Sequence, residues 1–444
     1  MAADAAAFVR QFRDSAPYIS AHRGRTVVVR VAGEALADMD AAATLLQDLA
    51  LVHSLGIRTV VVAGVRPRVE ARLQQQGVAS RYHQGLRVTD GTALACVKEV
   101  VGALRVELEA LLSMGLANSP MAGLRLRVAS GNHVIARPVG VRDGVDFLYT
   151  GEVRRVDAAA MDDALAAGAL VLLAPLGYSP TGEAFNVSAD DVALAAATGL
   201  GADKLLILDP GAPVRESDGT LVPELDLHGA AVARDRLCED AGGAAGVRHL
   251  DLARHACRHG VRRVHLLDPR EDGVLLRELF TRDGAGTLIA GDPFEILRRA
   301  TVDDVGGILE LIAPLEREGV LVRRSREELE TRIDEYLVVE RDGMIIATAA
   351  LSPHHRDGMA ELACFVIHPD YRGRDRGDAL LRRIERRARE QRVEALFVLT
   401  TRTAHWFRER GFEPARLSDL PVDRQALYNL RRGSQVFIKP LAGS

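Results

Sequence analysis

Lysine is almost missing from this chain of 444 residues: Lys98, Lys204 and Lys439 are the whole set, so 57 − 3 = 54 of its basic residues are arginine. Codon bias accounts for that skew more cheaply than function does, yet it marks each retained lysine, whose compact ammonium differs from a planar guanidinium fork. Cysteine is scarce as well. Cys96, Cys238, Cys257 and Cys364 show no paired or metal-ligand spacing, which fits a reducing compartment and gives no reason to expect a metal. The longest apolar stretch, 164–177, is too short to span a bilayer and contains Pro175. Asp4, Arg10, Arg13 and Asp14 punctuate the beginning, unlike a secretory signal, so the cytoplasm is expected. A net charge of −4 excludes a general basic field for nucleic acid. What remains is an ordinary globular composition, 48% hydrophobic and 27% charged, long enough for two or three domains.

From Thr26 to Ile289 apolar, β-branched runs alternate with helical patterns. Strands are predicted at 26–31, 57–63, 124–129, 169–174, 203–209 and 262–267, and helices at 39–55, 92–112, 188–199, 251–259 and 272–281. The runs are continuous rather than alternating, so the strands are covered on both faces: an α/β sandwich with a largely parallel sheet. Ahead of it, 5–19 reads as a short amphipathic helix with Phe8 and Phe12 on one face, packing either on its own domain or on another subunit. Residues 290–299 carry a composition shift that reads as an interdomain connection.

Beyond the connection, strands are predicted at 336–340, 344–351, 360–367, 395–400 and 434–438. The stretch 361–381 is the most informative. Its first half is a buried strand stopped by His368-Pro369; its second is a turn with Arg372, Arg374 and Arg376 that opens a helix carrying Leu380, Leu381 and Ile384. A strand, a turn and a fresh helix N-terminus offer free backbone N–H groups and a positive dipole end, which suits a phosphate. Pro369, Tyr371, Arg372 and Gly377 resemble the acetyl-coenzyme A motif of the GNAT-type N-acetyltransferases. Trp406-Phe407-Arg-Glu-Arg-Gly411-Phe412 resembles that family's second motif, in the right order along the chain. The sequence departs from the first motif at Asp375, where glycine is usual, and from the second at Phe407, where many members place the tyrosine that protonates the departing thiolate.

The first half resembles the amino-acid kinases, and N-acetylglutamate kinase above all, over roughly 26–290. The likeness is carried by Tyr82-His-Gln-Gly85-Leu-Arg87-Val-Thr-Asp90, Asn186-Val-Ser-Ala-Asp190, Ala202-Asp-Lys204, His265-Leu-Leu-Asp268 and the run from Leu275 to Thr287. Its phosphate loops are altered. A Lys-x-Gly-Gly end reads Arg30-Val-Ala32-Gly33, and a His-Gly-Gly-Gly-Pro turn reads Ala63-Gly64-Val-Arg66-Pro67. Side chains now stand where backbone should approach phosphate, and no lysine lies between 205 and 438. A kinase fold without kinase chemistry is expected.

A kinase-like half ahead of a GNAT half resembles the bacterial N-acetylglutamate synthases. The likeness implies acetyl transfer from acetyl-coenzyme A to L-glutamate, the first step of arginine synthesis, with feedback inhibition by L-arginine. The implied organisation is an N-terminal helix at 1–24, an amino-acid-kinase-like αβα domain at 25–290, a linker at 291–297 and a GNAT-type mixed α/β domain at 298–444. Glu361 is the candidate base, acting directly or through water. Thr400 is a candidate donor to the sulfur; a satisfied strand-end hydroxyl is its equal alternative. Backbone N–H groups near Phe365 and Ile367 would polarise the carbonyl, and the turn Arg372, Gly373, Arg374 and Gly377 would hold the coenzyme. Arg324, Arg432 and Ser434 are carried over as substrate residues, a dicarboxylate needing at least two arginine forks. Cys364 reads as a small core residue or pocket wall. For arginine the likeness points to Lys204, His265, Asp268, Glu278 and Gly284, with Tyr18 on the N-terminal helix, which in arginine-sensitive kinases links subunits into hexamers. No nucleic-acid or membrane partner is expected. Two rivals are an arginine-sensing protein with a degenerate acetyltransferase module and a bifunctional acetyltransferase and kinase.

Overall fold

The computed structural model describes residues 2–113, 122–239, 243–291, 295–341, 343–372, 376–426 and 433–441. The chain divides into two compact units, Met1–Asp292 and Pro293–Ser444. The first is built on an eight-stranded sheet in the order Glu224–Asp226, Thr287–Ala290, Arg263–Leu267, Lys204–Leu208, Thr26–Val31, Arg58–Ala63, Ala169–Leu173 and Arg127–Ser130. Every pairing is parallel except that of Arg263–Leu267 with Thr287–Ala290. Alternate residues of one strand feed opposite cores: Val27, Val29 and Val31 join one cluster, Val28 the other. That two-sided burial is why the strands read as unbroken apolar runs.

Most elements fall within two residues of their predicted places. The strand expected at 124–129 runs 127–130, and the helix expected at 251–259 starts earlier, at Ala244. Sequence reading missed a four-stranded sheet in the order Ala184–Asn186, Leu176–Tyr178, Val134–Pro138 and Gly151–Val156. Its strands are short, rich in glycine and charge, and half exposed, so they carry little apolar signal. The N-terminal helix is longer than predicted, Ala2–His22. Tyr18 and Ile19 pack on the first unit's core beside Leu279 and Phe280, whereas Phe8 and Phe12 stack on each other at 6.1 Å and are 66% and 61% exposed.

The second unit holds a seven-stranded sheet in the order Ile296–Arg299, Tyr336–Arg341, Met344–His354, Met359–Ile367, Ala395–Thr400, Gln435–Pro440 and Glu413–Ala415. Only one of its pairings is parallel, that of Met359–Ile367 with Ala395–Thr400. The stretch expected as a linker runs directly into a strand, since Ile296–Arg299 pairs with Leu337–Glu340. Helix Arg376–Glu390 covers one face, burying Leu380, Leu381 and Ile384 in the core. The fold class is the expected one, an αβα sandwich followed by a mixed α/β domain.

In the first unit the two former phosphate loops lie against each other. A Cβ on Gly64 would stand 2.5 Å from the Gly33 nitrogen and 3.0 Å from the Val31 carbonyl oxygen; one on Gly33 would stand 2.5 Å from Pro67 Cδ. Backbone, unlike a flexible side chain, cannot step aside. Gly64→Ala is expected to lower the stability of this unit by about 1–3 kcal/mol, the usual cost of overpacking. Calorimetric unfolding would show the shift, and an unchanged first transition would contradict the close approach of the loops.

Candidate active site

The two parallel strands of the second unit pair only as far as Glu361 opposite Phe397, yet both run on, one to Ile367 and the other to Thr400. Past that point they diverge. A bulge enforces the divergence from the other side: on Met344–His354, Thr348 faces Val366 and Ala350 faces Ala363, so Cys364 and Phe365 together oppose Ala349. Cys364 takes the left-handed conformation, φ 50°, which a β-carbon residue adopts only where surroundings impose it. The result is a backbone edge, Leu362–Ile367, with no ladder partner on the side facing Ala395–Thr400. An extended chain with its own amides can add to such an edge as a strand would.

The space so opened is a cleft of about 650 Å³. Leu362 to Ile367 form one wall and Val398, Leu399 and Thr400 the other, with Arg372, Gly377, Trp406 and Phe407 nearby. Gly377 has no room for a side chain: a Cβ would meet Trp406 at 2.9 Å and Ile367 at 3.3 Å. The start of helix Arg376–Glu390 is therefore pressed against the cleft wall, where free N–H groups of a first helical turn suit an anion. Arg372 is exposed beside it. Arg376 is committed elsewhere, to Glu295 and the Tyr371 carbonyl, so the turn carries less free charge than its sequence suggests. Gly373, Arg374 and Asp375 lie outside the described residues.

Glu361 sits at the apex where the strands part. Both of its carboxylate oxygens accept from Arg424, Oε2 from Nε at 2.7 Å and Oε1 from Nη2 at 3.0 Å. Arg424, on the short helix Val422–Ala426, also lines the cleft and was missed in the sequence. Nothing marks one arginine among 54. Arg324 lines the same cleft, its amide donating to Glu316 at 2.9 Å and its Nη1 to the Val322 carbonyl at 3.1 Å. No carboxylate pairs with its guanidinium among the described residues. Although burial works against its charge, the ionisable side chains around it (Cys364, Tyr336, Glu328 and Glu361) raise its pKa. Ser434 is buried just before strand Gln435–Pro440, whose first residue faces Thr400, but it is not part of the cleft wall. Arg432 lies outside the described residues.

The Thr400 hydroxyl accepts from the Thr403 amide at 3.1 Å and shares a 2.8 Å hydrogen bond with the Thr403 hydroxyl. It is a satisfied strand-end group that also faces the cleft. Phe407 is buried against Phe365, Trp406 and Phe412 and offers no proton. Burial pushes the Cys364 thiol up to about 11, so it stays protonated at neutral pH and is no nucleophile.

The first unit has its own cleft, of about 500 Å³, at the C-terminal ends of its central strands. Arg30, where a kinase would place lysine, is tied to Asp190 (Nε to Oδ1, 2.8 Å) and to Asp209. Arg87 is paired with Glu70 at 2.8 Å and with the Ser80 hydroxyl at 2.6 Å. The groups that would face substrate and phosphate thus neutralise one another.

Elsewhere in this unit Lys204, His265 and Glu278 form a buried chain. Lys204 Nζ lies 3.3 Å from His265 Nε2, and His265 Nδ1 bonds to Glu278. Glu278 also accepts from the amides of Ala285 at 2.6 Å and Gly286 at 3.0 Å. Burial would raise Glu278, but the His265 bond and those amides hold it at about 2. Burial and the Lys204 charge push His265 down to about 4, so the neutral ring gives Nδ1–H to the carboxylate. Gly284 is left-handed, and a Cβ there would meet the Glu278 carboxylate at 2.7 Å. His22, at the end of the helix that carries Tyr18, stands beside this chain: burial and then the Lys204 charge lower it to about 3. Asp268 is set apart, its carboxylate held by Arg270 (Nε to Oδ1, 2.9 Å) and the Gly211 amide at 3.1 Å.

Residues 25–268 match the amino acid kinase family and 332–414 an acetyltransferase (GNAT) domain. The chain is 52% identical over 434 residues to an amino-acid acetyltransferase of Pseudomonas putida, and 53% over 434 residues to one of Azotobacter vinelandii; each alignment covers 98% of this chain and 99% of the relative. N-acetylglutamate synthase from Neisseria gonorrhoeae, solved with coenzyme A and L-arginine, is 36% identical with a TM-score of 0.87, covering 98% of this chain and 100% of that one. The same protein solved with coenzyme A and N-acetyl-glutamate matches over the same spans with a TM-score of 0.61. Matched over 98% of its length at 52% identity, the chain belongs to the amino-acid acetyltransferases and is an acyltransferase.

Proposed function

We propose that the chain moves the acetyl group of acetyl-coenzyme A onto the amine of L-glutamate, giving N-acetyl-L-glutamate, and that L-arginine bound to the kinase-like unit inhibits the transfer. The observation that carries this reading is the open backbone edge of Leu362–Ile367, with Glu361 at its apex and the guanidinium of Arg324 in the same cleft. The gonococcal structures, with coenzyme A, N-acetyl-glutamate and arginine, support the choice of ligands. The edge would hold the pantetheine arm, and the helix start at Gly377 with Arg372 would face the diphosphate. Arg324 suits one carboxylate of glutamate, and Arg432 is assigned to the other.

In the transfer a nitrogen–carbon bond forms and a carbon–sulfur bond breaks. The ammonium must first lose a proton. A carboxylate has about four lone-pair directions, and the Arg424 pair uses two of Glu361's, leaving others for the ammonium or a bridging water. The N–H groups near Phe365 and Ile367 are assigned to the oxygen that gains charge. The thiolate then needs a proton that Phe407 lacks; the Thr400 hydroxyl or a water supplies it. The exposed Phe8 and Phe12 suit a homo-oligomer, hexameric by analogy with arginine-sensitive kinases. Among the described residues no helix is long and apolar enough to cross a membrane.

Glu361→Gln is expected to lower kcat by on the order of a hundredfold while leaving the acetyl-coenzyme A KM nearly unchanged. Product identified by mass spectrometry would accompany the kinetics. Undiminished turnover in this variant would remove Glu361 from the proton path. No phosphorylated N-acetylglutamate should form with ATP, since Arg30 is tied to Asp190 and Asp209; its appearance would restore the bifunctional reading.

For the effector, Glu278 is assigned to the guanidinium and Lys204 to the carboxylate, with His265, Gly284 and Tyr18 around them; Asp268, the other acid assigned to a cationic end, stands apart from them and is held by Arg270. Glu278→Ala should abolish arginine inhibition and leave uninhibited activity near normal; equal inhibition of the variant would refute the assignment. Burial lowers Lys204 to about 7, against an ordinary value near 10. Its ammonium is therefore lost above neutrality, and arginine binding must take up a proton there. The inhibition constant should rise by roughly tenfold or more between pH 7 and pH 9. A flat profile would take Lys204 out of the site.

A further inference from the structure

We propose that Glu295 is a positioning residue for the coenzyme, fixing the start of helix Arg376–Glu390 through a bidentate ion pair with Arg376. This rests on the reading of the second-unit cleft as the coenzyme site. Arg376 opens the helix whose first turn faces the cleft, and in sequence it looks like a third phosphate-binding arginine beside Arg372 and Arg374. Its geometry says otherwise. Nε lies 2.8 Å from Oε1 and 2.7 Å from Oε2 of Glu295, Nη2 also bonds to Oε1, and Nη1 donates to the Tyr371 carbonyl at 2.9 Å. The side chain is only 10% exposed. It borders the cleft, but its charge is neutralised by Glu295.

What the pair does instead is tie three pieces of chain together. Glu295 is the third residue of the second unit and leads straight into the edge strand Ile296–Arg299. A second arginine, Arg341 on the neighbouring strand, reaches the same carboxylate at 3.4 Å. The buried Tyr371, which closes the turn before the helix, has its ring 5.8 Å from the guanidinium carbons of both Arg341 and Arg376. On the other side of the helix start, Gly377 is pressed against Trp406 and Ile367 with no room to shift inward. Remove the carboxylate and Arg376 is left partly buried and unpaired, so it must move, and the turn must move with it. Bidentate arginine–carboxylate pairs are directional as well as strong, which suits a group whose task is placement.

The test uses the full chain. In Glu295→Gln the acetyl-coenzyme A KM should rise about tenfold, while kcat and the glutamate KM stay within about twofold. The coenzyme A dissociation constant, measured by calorimetry, should rise in parallel, and Glu295→Asp should fall between the two. Glu340→Gln breaks a different ion pair of the same sheet, that with Arg298, and should leave all four constants within about twofold. Unchanged coenzyme affinity in a folded Glu295→Gln protein would overturn the proposal. So would tighter binding, the outcome if Glu295 merely withheld Arg376 from the diphosphate, and so would an equal loss in kcat and both KM values. Should the parent chain bind coenzyme A but transfer nothing to glutamate, the functional reading fails, and the calorimetric comparison still decides the role of Glu295.

Discussion

Two neighbouring parallel strands that stop pairing at Glu361 and Phe397 are the constraint on which the second unit's chemistry depends. Unpaired backbone inside a protein is costly, so a sheet tolerates such a gap only where something else fills it. The bulge at Cys364 and Phe365 keeps the gap from closing, because it breaks the register that a straight strand would need. Every candidate role follows from that opening. The free edge offers hydrogen bonds to an extended arm, the apex carries the carboxylate of Glu361 where the strands part, and the helix start packs against Trp406.

The first unit shows the opposite treatment of a site. Its two glycine loops approach each other closely at Gly33 and Gly64, and Arg30 is partnered by two aspartates. Phosphoryl transfer rests on backbone approach and unpaired positive charge, and Arg30, paired with both aspartates, does not supply the second. The sheet that carried them is intact, and it now supports a buried relay of Lys204, His265 and Glu278 whose pKa values are far from ordinary. Strongly shifted groups of this kind gather at functional sites, which is the physical reason the effector site is proposed there.

Much of this was legible in the chain. Continuous apolar runs such as Val27 to Val29 announced strands covered on both faces, and the step from Ile367 through Pro369 to Leu380 announced strand, turn and helix. Glu361 and Gly377 stood out as candidates from their places on that strand and helix start, whereas Arg324 came from the family resemblance of its stretch. Other features left no trace. The left-handed Cys364 is a tertiary consequence of the bulge, with no glycine to betray it. Arg424 and Glu295 each act through one long-range ion pair, and in a chain with 54 arginines a pairing across 63 or 81 positions has no local signature. Arg376 misled for the same reason: its charge was visible, but its partner was not.

The account stands or falls on the open edge. Backbone amide exchange of the full chain, followed by mass spectrometry with and without coenzyme A, reads it directly. The account predicts slowed exchange across Leu362–Ile367 and the start of helix Arg376–Glu390 on coenzyme addition, with the core strand Thr26–Val31 unchanged. Protection appearing elsewhere while Leu362–Ile367 exchanges as fast as before would contradict it.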